Sequence, residues 1–110
     1  NDTLSARVAA LVGADLLILL SDVDGLYPAN PQLHPGLSPL SVVSPDDDLE
    51  RMAGGPGSAN GTGGMVTKIA AARICADHGI PMVLARGERP GVLRQITAGE
   101  EVGTLFIREG

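Results

Sequence analysis

Apolar residues recur along the chain at spacings that predict alternating helices and strands. One helical face is predicted from Leu4, Val8, Leu11 and Val12. Asp2 or Thr3 is placed to cap this helix, and Gly13 is placed to end it. Residues 16–20 then form a short run that is apolar on both faces, which is typical of a buried parallel strand.

The second half of the chain repeats this alternation. A helix follows a glycine-rich stretch and closes at His78-Gly79, residues 82–85 form a strand, a helix runs from Pro90 to Gly99, and residues 104–106 form a last strand. The positions predicted to face inward are Val66, Ile69, Ala70 and Ile74 in the first helix, and Val92, Leu93 and Ile96 in the second.

Residues 28–45 interrupt the pattern as an irregular excursion, because they contain five prolines. A short strand is expected at 40–43, and Ser44-Pro45-Asp46-Asp47 is typical of the start of a short helix. The pattern as a whole predicts the α/β class, with a mainly parallel sheet flanked by helices. Ligands bind such sheets beyond the carboxyl ends of the strands, which places Ser21-Asp22 at the rim of a site.

Composition narrows the function classes. Hydrophobic residues make up 44% of the chain and aromatic residues 2%, so aliphatic side chains must fill the core. The net charge of −5 and the scattered basic residues argue against a nucleic-acid surface. The longest apolar run is too short to cross a membrane.

A single cysteine, Cys75, builds no disulfide framework and suits a reducing cytoplasm. Because the chain begins with Asn-Asp rather than Met, we expect a fragment of a longer protein.

The stretch GSANGTGGMVTK, residues 57–68, carries the strongest candidate chemistry. Glycines let backbone N–H groups turn toward an anion, and a helix that follows adds its positive amino-terminal end, so the stretch suits a phosphate group. It is not a P-loop, because Lys68 follows Thr67 and precedes Ile69 instead of standing directly before Ser or Thr. A flexible surface loop before an ordinary helix with a solvated lysine is the alternative explanation.

Four segments taken together resemble the glutamate 5-kinases, a family of the amino acid kinase superfamily. The segments are residues 1–6 (NDTLSA), 14–27 (ADLLILLSDVDGLY), 61–68 (GTGGMVTK) and 102–106 (VGTLF). Their order and approximate spacing match over nearly the whole chain, and the combination is far more specific than any single motif. The resemblance implies that residues 1–110 form the carboxyl-terminal, nucleotide-binding half of an amino acid kinase domain with a carbamate kinase-like fold.

The activity implied by this resemblance is ATP-dependent phosphorylation of the γ-carboxylate of L-glutamate, the first step of proline biosynthesis. In the family, the counterpart of Lys68 stabilises the transferring phosphoryl group, that of Asp2 organises the catalytic lysines, and that of Asn1 contacts glutamate. The residues implied to bind ATP are Ser21, Asp22, Thr62, Gly63, Gly64, Met65, Val66, Thr67 and Lys68. The implied cofactor Mg²⁺ is expected to be coordinated mainly by nucleotide oxygens, so no protein metal ligand is predicted. A homo-oligomer is compatible with the resemblance.

The family's other catalytic lysine and most of its glutamate pocket belong to the amino half, for which these 110 residues have no counterpart. We therefore expect the 110 residues alone not to phosphorylate glutamate, because the acceptor would be badly aimed and one oriented cation would be missing.

Several polar residues have simpler explanations. Asp22 and Asp24 lie on a glycine-containing turn, where aspartate is common, and only the strand-end position favours Asp22 as a site residue. His78 suits a helix end, and Cys75 is expected to be a buried, inert thiol. Tyr27 fits either a position beside an adenine or a cover for the strand end.

Two rival functions stay open from the sequence. Another amino acid kinase (acetylglutamate kinase, aspartokinase or uridylate kinase) would share the ATP-binding half and differ in the phosphoryl acceptor. A non-catalytic nucleotide-binding module would have no use for a catalytic lysine, which argues against it.

Overall fold

The chain alternates between helices and strands in the computed structural model, which describes residues 1–28, 36–45 and 63–108. In chain order the elements are α1 (Asp2–Val12), β1 (Leu17–Ser21), β2 (Val42–Val43), α2 (Gly63–Asp77), β3 (Met82–Arg86), α3 (Val92–Thr97) and β4 (Thr104–Phe106). The elements predicted from the sequence at these places are confirmed. The helix predicted to open at Ser44 and the glycine-rich stretch up to Thr62 lie outside the described residues.

The four strands form one open sheet in the order β1-β3-β4-β2. β1 pairs with β3 in parallel, β2 pairs with β4 in parallel, and β3 pairs with β4 in the antiparallel sense. The α/β class is therefore confirmed, and two of the three pairings are parallel. The antiparallel pairing arises because α3 is short, so that Thr104 begins β4 opposite Leu84, close to where β3 ended.

Helices cover both faces of this sheet. Alternate residues of the strands, Leu19, Met82, Leu84 and Phe106, join one core with buried residues of α1 and α2. The alternate residues between them, Val83 and Ala85, pack with Val92 of α3 and with Val102 on the opposite face. This division follows from the pleat of a strand, which sends successive side chains to opposite sides.

The apolar face of α1 that the sequence predicts is exposed in the structure. The exposed fractions of its four residues are 55% for Leu4, 50% for Val8, 86% for Leu11 and 70% for Val12. The helix packs along α2 through a different face, on which Ala6 and Ala9 are buried. Periodicity finds an apolar stripe but does not say on which side the neighbouring helix lies, and small alanines allow a close approach.

The other inward positions are partly confirmed. Ile69 and Val92 are buried, whereas Val66 and Leu93 are about half exposed, at 52% and 51%. On α2 the buried stripe begins one residue earlier than predicted, at Met65, because the helix must face both α1 and the sheet. On β1, Leu20 is 43% exposed, so the strand is not buried on both faces by the described helices.

None of the described helices is both long and apolar enough to cross a membrane.

Candidate functional site

Two helix starts and two strand ends meet at one edge of the sheet. α1 returns into β1 through residues 13–16, and α2 returns into β3 through residues 78–81, so each helix runs back along the strand that follows it. Because β1 and β3 are parallel, the amino ends of both helices lie at the edge where both strands end. This topology brings Asp2, Lys68 and the pair Ser21-Asp22 to the same edge.

Asn1 makes the cap of α1, and this frees the carboxylate of Asp2. The Asn1 Oδ1 accepts a hydrogen bond of 3.3 Å from the Leu4 backbone N–H. The expectation that Asp2 or Thr3 caps the helix is therefore wrong. Asparagine is as good a cap as aspartate, and with the first turn satisfied by Asn1 the Asp2 side chain can turn to the neighbouring helix.

Asp2 joins α1 to the start of α2 through two polar contacts. Its Oδ2 lies 3.4 Å from the Nζ of Lys68, and it accepts a hydrogen bond of 2.8 Å from the hydroxyl of Thr67. The same hydroxyl lies 2.8 Å from the carbonyl oxygen of Gly64. A hydroxyl has one proton, so Thr67 donates it to one of these two oxygens at a time.

The charge of Lys68 is held in place and largely shielded from water. Its side chain is 13% exposed and that of Asp2 is 19% exposed. Nζ also lies 3.4 Å from the carbonyl oxygen of Gly64, one turn earlier on the helix. Because α2 begins at Gly63, Lys68 lies in the second turn of this helix. Lys68 is the only lysine among the 110 residues.

The residues predicted to bind ATP divide between the rim and α2. At the rim, the Ser21 hydroxyl donates a hydrogen bond of 3.2 Å to Asp22 Oδ1, and Asp22 is exposed. On α2, Gly64 and Thr67 take part in the contacts around Asp2, Met65 is buried in the core and Val66 is exposed. Thr62 lies outside the described residues. The binding roles of all these residues stay predictions.

Sequence reasoning missed an ion pair beside Ser21. The Nε of Arg86, the last residue of β3, donates a hydrogen bond of 2.7 Å to Asp24 Oδ1, and the Tyr27 hydroxyl donates one of 3.3 Å to Asp24 Oδ2. The hydrogen bond from Arg86 is the main cause that lowers the pKa of Asp24. The glycine-containing turn explains Asp24 locally, and its partner Arg86 lies 62 positions away in the chain. Pairing the ends of the two predicted strands is the signal that would bring these two residues together.

Two further side chains agree with their simpler explanations. Cys75 is buried, and burial raises the pKa of its thiol, which disfavours the reactive thiolate. His78 follows the end of α2, and its Nδ1 lies 2.8 Å from the carbonyl oxygen of Ile74. Within residues 1–28, 36–45 and 63–108, no three His, Cys, Asp or Glu side chains come together as a metal site.

Comparison with known families finds one match to most of the chain. The family model described as "Amino acid kinase family" matches residues 1–86. Over all 110 residues the chain is 86% identical to a glutamate 5-kinase of Symbiobacterium thermophilum, of which it covers 42%. Over 107 residues it is 58% identical to a glutamate 5-kinase of Carboxydothermus hydrogenoformans, covering 28% of that protein. The chain thus spans less than half the length of these relatives.

Solved structures share the fold at low sequence identity. The UMP kinase of Bacillus anthracis superposes on 99% of this chain with a TM-score of 0.73 and 23% identity, and the chain covers 41% of it. N-acetylglutamate synthase of Neisseria gonorrhoeae, solved with coenzyme A and L-arginine, gives a TM-score of 0.74 at 18% identity, with 99% of this chain and 23% of that protein covered. At such identities the likeness concerns the fold alone.

Proposed function

The chain belongs to the amino acid kinase family, and from this premise we propose that the whole protein transfers the γ-phosphoryl group of ATP to the γ-carboxylate of L-glutamate, the first step of proline biosynthesis. The observation that carries the proposal is the 86% identity to a glutamate 5-kinase over every residue of the chain. A cytoplasmic location is part of the same proposal.

The reaction brings together two anions, and Lys68 supplies a positive charge where they meet. An oxygen of the glutamate carboxylate forms a bond to the γ-phosphorus, the bond from that phosphorus to the β–γ bridging oxygen breaks, and ADP leaves with the electron pair. Since the carboxylate is already ionised near pH 7, the attacking group needs no general base. Catalysis then depends on position and on neutralising the charge of the equatorial oxygens.

Asp2 fits the role of a holder for this lysine. A free lysine side chain samples many rotamers, and ordering it costs up to about 2 kcal/mol of conformational entropy. The contact with Asp2 at 3.4 Å and the small exposure of both side chains keep the ammonium at the edge before any nucleotide binds. A phosphate oxygen arriving there can replace the carboxylate as the nearest anion.

We expect the metal to arrive with the nucleotide. Mg²⁺ binds few protein oxygens and keeps phosphate and water ligands, so the nucleotide phosphates would supply most of its ligands. When bound, Mg²⁺ would neutralise charge on the β- and γ-phosphate oxygens.

The proposal is tested with the complete protein and a panel of phosphoryl acceptors. ADP release in the presence of MgATP is measured with L-glutamate, N-acetyl-L-glutamate, L-aspartate and UMP. We expect turnover with L-glutamate alone, on the order of 1–100 per second as for other kinases. Preference for one of the other three acceptors would show a different member of the family, and the absence of turnover with every acceptor would favour a non-catalytic module.

A further inference from the structure

The turn that follows β1 is acidic at the place where the proposed function requires an anion to bind. Asp22 and Asp24 both follow Ser21 closely, and both are exposed. A nucleotide polyphosphate beside Ser21 would therefore meet two carboxylates. Their charges act over a screening length of about 8 Å at physiological ionic strength, so they oppose the binding of a polyanion unless a cation offsets them.

Arg86 is the cation that hydrogen-bonds to Asp24 of this turn, and Arg89 lies near the same carboxylate. Arg86 and Ser21 are register partners on the neighbouring strands β3 and β1, and such strands lie about 4.8 Å apart. The backbone N–H of Gly87 also donates a hydrogen bond of 2.8 Å to the Ser21 carbonyl, which fixes the two strand ends to each other. These main-chain contacts fix the backbone of Arg86 beside Ser21.

A hydrogen bond to Asp24 orients the side chain of Arg86. Its Nε is 2.7 Å from Asp24 Oδ1, and the second oxygen of Asp24 accepts from Tyr27, so the three side chains form one network. The network borders an open cleft of about 350 Å³, and the charged residues in its lining are Asp24, Arg86, Arg89 and Glu101. A ligand at the rim therefore has room beside the arginine.

The ion pair between Arg86 and Asp24 is expected to contribute little to the stability of the fold. The side chain of Arg86 is 39% exposed and that of Asp24 is 49% exposed. Ion pairs with this exposure typically contribute little to folding, because water and salt screen them and the side chains lose freedom. The same charges have a larger effect on a polyanion, whose several negative charges all respond to them.

We propose that Arg86 is a positioning residue of the nucleotide site, which offsets the negative charge of the turn 22–24 so that an anionic nucleotide binds beside Ser21. The proposal rests on the proposed function in taking ATP as the ligand, and it does not depend on which acceptor is phosphorylated. Arg86 acts through the charge and orientation of Asp24 and touches no reacting atom.

The test measures nucleotide binding to the complete protein by calorimetry, using MgATP, AMP and adenosine at low and at high salt. Arg86→Gln should raise the Kd of MgATP about threefold to tenfold at low salt and less at high salt, because the effect is electrostatic. The Kd of AMP should rise less, and that of adenosine, which has no charge, should not change. Arg86→Lys keeps the charge and should stay close to the wild type.

Two variants separate charge compensation from a structural role. In Arg86→Gln/Asp24→Asn both charges are removed, and the Kd of MgATP should return toward that of the wild type. Arg108→Gln removes a positive charge at the opposite edge of the sheet, where Arg108 contacts the Gly79 carbonyl, and should change nothing. An unchanged Kd of MgATP in Arg86→Gln, an equal loss for adenosine, or a double variant no better than Arg86→Gln would each overturn the proposal.

Because binding is measured without an acceptor, the result is independent of the glutamate assay. A protein that binds MgATP in this charge-dependent way but does not phosphorylate L-glutamate would refute the proposed function and support the role of Arg86. A complete protein that binds no MgATP would overturn both.

Discussion

Asp2 and Lys68 are 66 positions apart in the chain, yet Asp2 Oδ2 lies 3.4 Å from Lys68 Nζ at the point where α1 and α2 begin. Each helix runs back along a parallel strand, so the sheet topology makes this meeting of their amino-terminal ends possible. The contact places the only lysine of these 110 residues, ordered and largely shielded, at the edge where a parallel sheet takes its ligands.

Replacing Lys68 should reduce turnover far more than nucleotide binding. In the complete protein, Lys68→Met should lower kcat with L-glutamate on the order of 10²-fold or more, because the lysine charge acts mainly on the transition state. The Kd of MgATP should change much less. Asp2→Asn should have an intermediate effect on kcat, since it leaves the lysine in place but weakens its anchor. Steady-state kinetics and calorimetry measure the two quantities.

The control for this experiment is Arg94→Gln, which removes a positive charge from an exposed position on α3. Its kcat should equal that of the wild type. Near-normal turnover in Lys68→Met would mean that Lys68 is only a structural partner of Asp2.

Thr104 is expected to be the most sensitive polar position in the core. It is fully buried, its Oγ1 accepts a hydrogen bond of 2.9 Å from the Leu26 N–H, and it donates one of 2.6 Å to the Leu40 carbonyl. Thr104→Val keeps the shape but leaves both partners without this bond, so the free energy of unfolding should fall by about 2–4 kcal/mol. Thr104→Ser keeps the hydroxyl and should cost about 1 kcal/mol for the lost methyl group. Urea denaturation measures both values, and equal losses would contradict this account of Thr104.

Gly103 and Gly99 offer a matched pair of glycines with positive φ, at 72° and 83°. A methyl group at Gly103 would collide with the carbonyl oxygen of Leu84, whereas at Gly99 it would meet nothing within 4 Å. Both substitutions to alanine pay the backbone strain of about 1–2 kcal/mol, and only Gly103→Ala must also displace main chain of the central strand β3. We expect Gly103→Ala to lower the melting temperature much more than Gly99→Ala; a similar decrease in both would show that the strand end yields easily.

The ion pair between Arg86 and Asp24 gives a pH dependence of known sign. The hydrogen bond from Arg86 lowers the pKa of Asp24 below its ordinary value of 3.8. A lowered folded-state pKa stabilises the protein above the unfolded-state value, and this stabilisation is lost as the pH falls through the folded-state pKa. Carboxylate NMR titration should find the Asp24 pKa below 3.8 in the wild type and closer to it in Arg86→Gln. The same pKa in both proteins would contradict a persistent pair in solution.

Local sequence patterns predicted the positions of the helices and strands well, and the packing between them less well. Glycine stops, proline starts and apolar spacing depend on a few adjacent residues, so the ends of α1 and α2 and the last strand could be placed from the sequence. Which face of α1 is buried depends on where α2 lies, and this information is not local. For that reason the spacing of Leu4 and Val8 indicates an apolar face, whereas the structure buries Ala6 and Ala9.

The candidate site shows the same division. The position of Ser21-Asp22 at a strand end followed from strand order alone, and the catalytic role proposed for Lys68 followed from the resemblance to a family. The partnership of Asp24 with Arg86 required the register of β1 against β3, which no pattern within either segment contains. The release of Asp2 from capping required knowing that Asn1 takes that role.

The most direct test of the central claim is the structure of the complete protein with a non-hydrolysable MgATP analogue. The account predicts that phosphate oxygens lie within about 3 Å of Lys68 Nζ, as in a charge-assisted hydrogen bond, with the nucleotide against the rim of Ser21-Asp22. A nucleotide bound elsewhere in the protein, with Lys68 still paired to Asp2 alone, would contradict it.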